Sequence, residues 1–542
     1  MSKRLWILAG VVAGGLVGCG ADEIVSPGTG GNITINNPPA APPPVVVPPP
    51  APQLVSAAAG CPTIANDPGL RDDGTITGPT GTYRVCTLPS VLTRSSQLTR
   101  IAGLLYALDG RVDVGVDCGP QVAPAGTAST CKANAAATAE TLGITLTIDP
   151  GVIVFAKTGV SWLAVNRGHR INAVGAVDRP IVFTSRDNVL GLATDDSQGQ
   201  WGGVVLHGRA PITDCQAGGA TPGSVTCERQ TEGALDPALF GGATPADNSG
   251  SVRFVQIRYS GYVLSGNSEL QSLTLGGVGS GTTVDHVDSH NSSDDGFEVF
   301  GGRVKLRHFV ITGADDDNVD VDTGYQGTIQ YLIAVQKTSG AADSMIELDS
   351  PGTNATTDET QTPRTNLKLA NFTLVHRNAA SGNGAAIRMR GRADASLVNG
   401  IVTSPMAALR LDGPPILTAD AAIQKLGPPV FKSVVLSTTV APFRAGDGGV
   451  TAQQVADTFN VPGNNNNAAF TASLTNVYVN GASETAATAT DPKTADAAFD
   501  TTTYIGAVKD AADTWYAGWT CNSATANFGT TSMACTSLPS LN

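Results

Sequence analysis

SSDDGFEVFGG at 292–302 and ADDDNVDVDTG at 314–324 are two copies of one pattern: an acidic turn, a short alternating run and a closing glycine, with Gly302 and Gly324 22 residues apart. The pattern returns in ADSMIELDS (342–350), NGAAIRMRG (383–391) and PMAALRLDG (405–413). Upstream of each copy lies a second short strand: VDHVDSH (284–290), LRHFVITG (306–313), IQYLIAVQ (329–336), LANFTLVHR (369–377) and LVNGIVTS (397–404). Two period-2 strands separated by Gly, Asn, Asp or Ser, repeating about every 22 residues, predict the coils of a β-solenoid. The fold class expected is therefore all-β, a parallel β-helix (solenoid) with disulfide-bearing capping segments. Leucine-rich repeats would need a regular LxxLxL frame, which is absent, and a propeller would need four strands in each 40 or so residues. Inward residues of successive coils should stack at about 4.8 Å into apolar columns. Val287, Phe309, Ile333, Phe372 and Ile401 are expected in one column, and Phe297, Val319, Met345, Ala386 and Ala408 in another.

The same repeat concentrates acid. Asp294, Asp295 and Glu298 fall on one coil and Asp315, Asp316, Asp317, Asp320 and Asp322 on the next, so Asp294 should lie above Asp316 and Asp295 above Asp317. Stacked like charges invite a counter-ion, and hard oxygen donors favour Ca²⁺, with Asp294, Asp295, Glu298, Asp315, Asp316 and Asp317 as the expected ligands. Two other readings stay open: a solvated turn whose Asp residues cap backbone groups, and a catalytic site. His286 and His308, at equivalent places on adjacent coils, are expected to stack as a ladder; two imidazoles without a third convergent ligand make a poor zinc site.

Outward from the repeat the chain changes character. Lys3 and Arg4 precede an apolar run from Leu5 to Val17, the layout of a secretory signal, and that run is too short to span a bilayer. Residues 1–18 are read as signal peptide, 19–53 as a Pro/Gly-rich tether, 54–139 as a disulfide-containing N-terminal cap, 140–449 as the β-helix with inserted loops near 207–250 and 351–366, and 450–542 as a C-terminal cap. Eight cysteines beyond Cys19 fall into close neighbours, and four local disulfides are expected: Cys61 with Cys86, Cys118 with Cys131, Cys215 with Cys227, and Cys521 with Cys535. A net charge of −13 opposes binding to a phosphate backbone, which excludes nucleic acid as a partner.

The segment LVGC ending at Cys19 resembles the lipobox of bacterial lipoproteins. That resemblance implies a lipid-anchored Cys19 and, with uncharged Gly20 next to it, the outer membrane, facing either the periplasm or the cell surface. LTIDPGVIVFAKTG, RPIVFTSRD, WGGVVLHGRAPI and YIGAVKDAADTWYAGWT, with the 273–302 stretch, resemble a family of bacterial envelope lipoproteins with a pectin-lyase-like β-helix body. The likeness covers roughly residues 140 to 440 and the C-terminal stretch at 504 to 519. It implies a right-handed parallel β-helix strongly and function weakly.

Such lipoproteins often accompany TonB-dependent transporters, which makes an outer-membrane transporter an expected partner beside a polysaccharide. The expected function is a non-catalytic binding or scaffold module for a glycan or an envelope protein. The alternative is a Ca²⁺-dependent polysaccharide lyase or a glycoside hydrolase using Asp294, Asp295, Asp316, Asp317 and Arg388. SSDDGFE resembles the paired-Asp segment of polygalacturonases, and Arg388-Met389-Arg390 is loosely like their Arg-x-Lys, but their Gly-His-Gly has no match.

Overall fold

Two long sheets of short parallel strands carry the molecule. In this computed structural model residues 54–539 are described, apart from 130, 132–135, 137–142, 266–267, 351–358 and 381. The expected signal peptide, Cys19 and the tether lie outside the described residues.

The first sheet runs in the order Gly81–Thr87, Leu104–Leu108, Ile153–Ala156, Ile181–Ser185, Gly250–Arg258, Thr283–His290, Lys305–Thr312, Thr328–Val335, Asn366–Val375, Asp394–Ser404 and Val430–Thr438. The second runs from Val91–Leu92 through Phe297–Phe300 and Val319–Asp322 to Phe443–Arg444. Each coil, or rung, gives one strand to each sheet, and the pairings along both are parallel. The molecule is thus a parallel β-helix, filled by one continuous apolar core.

From the fifth rung onward each first-sheet strand bends in the middle at a residue of positive φ. Phe254, His286, His308, Tyr331, Asn371, Asn399 and Ser433 have φ of 50, 57, 53, 66, 52, 57 and 54°. Pairing skips these positions, running from Arg253↔Asp285 to Val255↔Val287. In the preceding rung the two halves are separate strands, Arg170–Val174 and Ile181–Ser185, which pair with the two halves of Gly250–Arg258. A left-handed conformation is costly for a non-glycine residue, so a column of seven is a built corner.

That corner corrects the expected columns. The residues after the bend stack as Val287, Phe309, Leu332, Phe372 and Gly400. Ile333 and Ile401 stand one position on and point outward, because alternation does not carry straight through a left-handed residue. Gly400 is required by the column: a Cβ there would lie 1.9 Å from the Phe372 ring. In the second sheet the column is Phe297, Val319, Ile346, Ile387 and Leu409. Ser344, not Asp343, takes the place of Asp317, so that strand starts one residue later than the repeat suggested.

The ends differ from expectation too. The β-helix begins near residue 81, not 140: Gly81–Thr87, Leu104–Leu108 and Arg111–Val114 are already rungs, their turns too uneven for a 22-residue repeat to show. Only the segment ahead of them caps. Its strand Arg71–Gly78 pairs antiparallel with Gly81–Thr87. Arg71 and Lys157 bridge Asp73 and Asp109 there, which charges an edge that would otherwise template aggregation.

At the far end only the helix Ala452–Phe459 caps, with Thr451 closing its first turn and Phe459 packed 5.4 Å from Phe431 and 5.5 Å from Phe443. The rest of the expected C-terminal cap is a strap that runs back along the first sheet, over its corner. Asn399 Nδ2 donates to Thr490 O at 2.8 Å, Asn371 Nδ2 to Tyr504 O at 3.1 Å, and Gln330 Nε2 to Asp500 O at 3.1 Å. Further on, Trp515 and Trp519 cover His308 and His286. Tyr478, Val508 and Trp519 bury the outward Val310, Ile333 and Val375, and Ile505 buries Ile401.

The strap ends on the first rungs. Fully buried Arg258 donates to Cys535 O and Ser537 O, both at 2.8 Å, and Leu538 packs with Val55, Tyr83 and Leu105. All four disulfides pair as expected from the cysteine spacing, and Cys521–Cys535 ties the strap's last turn.

Candidate functional site

With the first sheet covered, the outer face of the second carries the charge. Its outward column reads Glu298, Asp320, Glu347, Arg388 and Arg410 in register, with Phe300 paired to Asp322 beside it. The turn leading into each strand adds Asp294 and Asp316. The disulfide-bearing loop at 207–250 lies over the earlier rungs, where Phe240 packs 5.6 Å from Phe300 and Arg229 sits 5.7 Å over the Phe300 ring. Glu232 from this loop and Glu269 add further negative charge toward Asp294.

The face divides into two halves. In the later half Arg388 is held by Glu347 at 3.1 Å, Asp412 at 2.8 Å and Asn383, and Arg390 by Glu347 at 3.2 Å and Asp349 at 3.0 Å. Arg410 pairs with Asp412 and Asp447, both at 2.7 Å. In the earlier half Glu298, Asp316, Asp320 and Asp322 carry no ion pair among the described residues, although Glu298 is only 4% exposed. Burial, and then repulsion from its neighbours, pushes the Asp294 carboxyl up to about 8, Asp322 to about 7 and Asp316 to about 6. Asp295, Glu298, Asp317 and Asp320 are held well above the ordinary carboxylate range for the same reasons.

The structure sorts the residues singled out from the sequence. Asp295 and Asp317 face inward along the turn: Asp317 N–H donates to Asp295 Oδ1 at 2.9 Å, and Ser344 N–H to Asp317 Oδ1 at 2.6 Å. These two are rungs of a backbone-capping ladder. Asp315 leaves the expected ligand set, because it turns away to Lys337 Nζ at 2.9 Å and to Gln198.

Two groups of oxygens do converge, Asp294 with Asp295 and Asp316, and Asp295 with Glu298 and Asp320, each within 4.8 Å. Such all-oxygen sets suit Ca²⁺, and Asp295 keeps its second oxygen free for it. Arg388 is not placed to act as a base, since three acceptors hold its guanidinium. Sequence reasoning missed Glu232, Glu269 and Glu347 as parts of this face, since only the insertion's fold and the 41-residue step from Glu347 to Arg388 in register reveal them.

The capping role makes a prediction. Asp295→Asn keeps an acceptor for the Asp317 N–H and removes a buried carboxyl crowded by acidic neighbours, so its unfolding free energy should match or exceed that of the parent chain. Asp295→Ala orphans that N–H and should cost about 1–3 kcal/mol. Urea titration of the two variants checks this, and equal losses in both would reject the ladder.

Stacked rungs, a corner of left-handed residues and one charged open face define a parallel β-helix protein. The family model described as a pectate-lyase-like beta-helix domain matches residues 129–520, and the chain belongs to that family. No curated protein and no solved structure matches the chain.

Proposed function

We propose that the protein is a lipid-anchored module of the bacterial outer membrane, held through Cys19, that binds a polysaccharide without cleaving it along the outer face of the second sheet. One observation carries this reading: the first sheet's outer face is covered by the strap, whereas the second presents a ribbon of charged side chains across successive rungs. Glycan hydroxyls are donors, and unpaired carboxylates are strong acceptors for them. Asp294, Asp295, Glu298, Asp316 and Asp320 would hold Ca²⁺, which supplies positive charge for acidic sugars on an otherwise anionic face.

The enzyme alternative is weakened by the occupied state of its own residues. Asp295 and Asp317 cap backbone, and Arg388 is engaged by Glu347, Asp412 and Asn383.

Affinity electrophoresis of the full chain through gels cast with acidic or neutral polysaccharides, with and without Ca²⁺, tests the proposal when paired with a size profile of each polymer. Retardation with unshortened polymer is the expected result. Shortened polymer would establish an enzyme, and no retardation by any polymer would redirect the search to an envelope protein such as a transporter.

A further inference from the structure

On the opposite side of the molecule a second cluster converges beneath the strap. Asp285 Oδ1 lies 2.7 Å from His308 Nδ1 and 2.8 Å from His286 Nδ1. His308 donates a hydrogen bond to it, whereas His286 Nδ1 is buried and lacks the alignment of one. The two imidazoles stack as the sequence suggested, with centroids 4.2 Å apart and planes at 24°. Phe254 continues the stack beyond His286 at 4.4 Å and Tyr331 beyond His308 at 4.7 Å. Both histidines sit at the left-handed corner, on adjacent rungs. Asp285 is the convergent third group that reading the two histidines alone did not supply.

We propose that Asp285, His286 and His308 form a binding site for one borderline transition-metal ion of the Zn²⁺ class, with three protein ligands and a fourth position open to water. Neutral imidazole nitrogens and one carboxylate oxygen are a donor set for such ions and a poor one for Ca²⁺. Tetrahedral bonds of about 2.0–2.1 Å separate ligand atoms by about 3.3 Å, so the Asp285 oxygen has to draw back by about half an ångström from each nitrogen, and the His286 ring, whose Nδ1 is not aligned on that oxygen, has to turn to aim its lone pair at a shared ion. Zinc takes the Nδ1 lone pairs, and each ring then carries its single proton on Nε2.

The side chains of His286, His308 and Asp285 are 14, 18 and 18% exposed, so the cluster lies just beneath the surface. Trp519 lies 5.2 Å from His286 and Trp515 5.1 Å from His308, so the ion would join two rungs directly under the strap's indoles. Two cations stand nearby. Arg253 is 3.7 Å from Asp285 Oδ2 and lies over Phe254, while Arg307 is paired with Asp500 and lies over Tyr331, so each positive charge has a carboxylate of its own or shares one.

The full chain, freed of metal by a chelator, is titrated with Zn²⁺ by calorimetry and with Co²⁺ by visible absorption. The expected result is one tight ion per chain and the intense absorption of four-coordinate cobalt. Asp285→Asn and His308→Gln should each weaken uptake by about tenfold or more, while Glu298→Gln, on the acidic face, leaves it unchanged. X-ray absorption of the Zn²⁺-loaded parent chain needs no variant to fold, and should show two imidazoles around the ion. No uptake by the parent chain, an oxygen-only shell, or uptake lost in Glu298→Gln but kept in Asp285→Asn would overturn the site.

Discussion

Trp519→Ala is expected to lower the unfolding free energy by about 3–5 kcal/mol. The indole is fully buried, packs edge-on 6.2 Å from Phe254 and 5.2 Å from His286, and its N–H donates to Trp515 O at 2.7 Å. Its backbone carbonyl accepts from Gln256 at 2.6 Å, so the residue is the point where the strap meets both the corner column and the fifth rung. Alanine leaves a cavity between the strap and the corner column. Partly buried Trp515 should cost less when truncated in the same way. Equilibrium denaturation by guanidinium checks the order; a loss below about 1 kcal/mol at Trp519 would mean that the strap unfolds separately from the β-helix.

Stability should rise as pH falls from about 8 to about 6.5, an inversion of ordinary acid behaviour. A carboxyl whose folded pKa is raised keeps its proton in the fold where the unfolded chain has lost it. The folded chain then binds more protons, and stability falls as pH rises across the interval between the two values, by up to about 1.4 kcal/mol per pH unit for each group. Asp294 at about 8, with Asp322 and Asp288 at about 7, place that loss near neutrality. For all three the first cause is burial.

Below about pH 6.5 the sign is opposed. His207 and His290, pushed down to about 3 by burial, stay neutral in the fold and lose stability as the unfolded chain takes up protons. Three raised carboxyls outweigh two histidines, so the rise slackens below about pH 6.5 and ends only where the unfolded carboxyls take up their own protons, at about pH 4. Thermal melts across the range measure it, and Ca²⁺ should raise the melting temperature at pH about 8 much more than at pH about 5, where protonated carboxyls compete with the ion. A monotonic rise in stability toward alkaline pH would reject the raised, unpaired state of the Asp294 and Asp322 carboxyls.

What was legible in the sequence was whatever repeats locally. The 22-residue step at Gly302 and Gly324 carried the fold, the stacking of His286 on His308 and the placing of Asp295 against Asp317, because a solenoid turns sequence periodicity into spatial register. Register was lost where the period fails. The left-handed residue at the corner consumes one step of alternation, so Ile333 and Ile401 were placed inside when they lie beneath the strap. The strap itself has no periodicity; YIGAVKDAADTWYAGWT shows two tryptophans but not the face they cover. The candidate site was half legible: Asp294, Glu298 and Asp316 belong to it, Asp315 is drawn off by Lys337, and the partners of Arg388 come from rungs on either side of a long insertion.

The returning strap also changes how such a molecule can come apart and come together. An open solenoid behaves as a one-dimensional array in which each repeat leans on its neighbours and can peel from either end. Here Asn188 donates to a carbonyl at Cys535, 347 residues later, and Leu538 completes the core around Val55. One segment thus holds the first rungs together with strands as late as Asp394–Ser404. Unfolding should therefore be a single, highly cooperative event. Folding carries the corresponding burden of very high contact order: the first rungs stay incompletely covered until Cys535 and Leu538 reach them, so docking of the strap, not the winding of the coil, is the step that commits the protein to its native state.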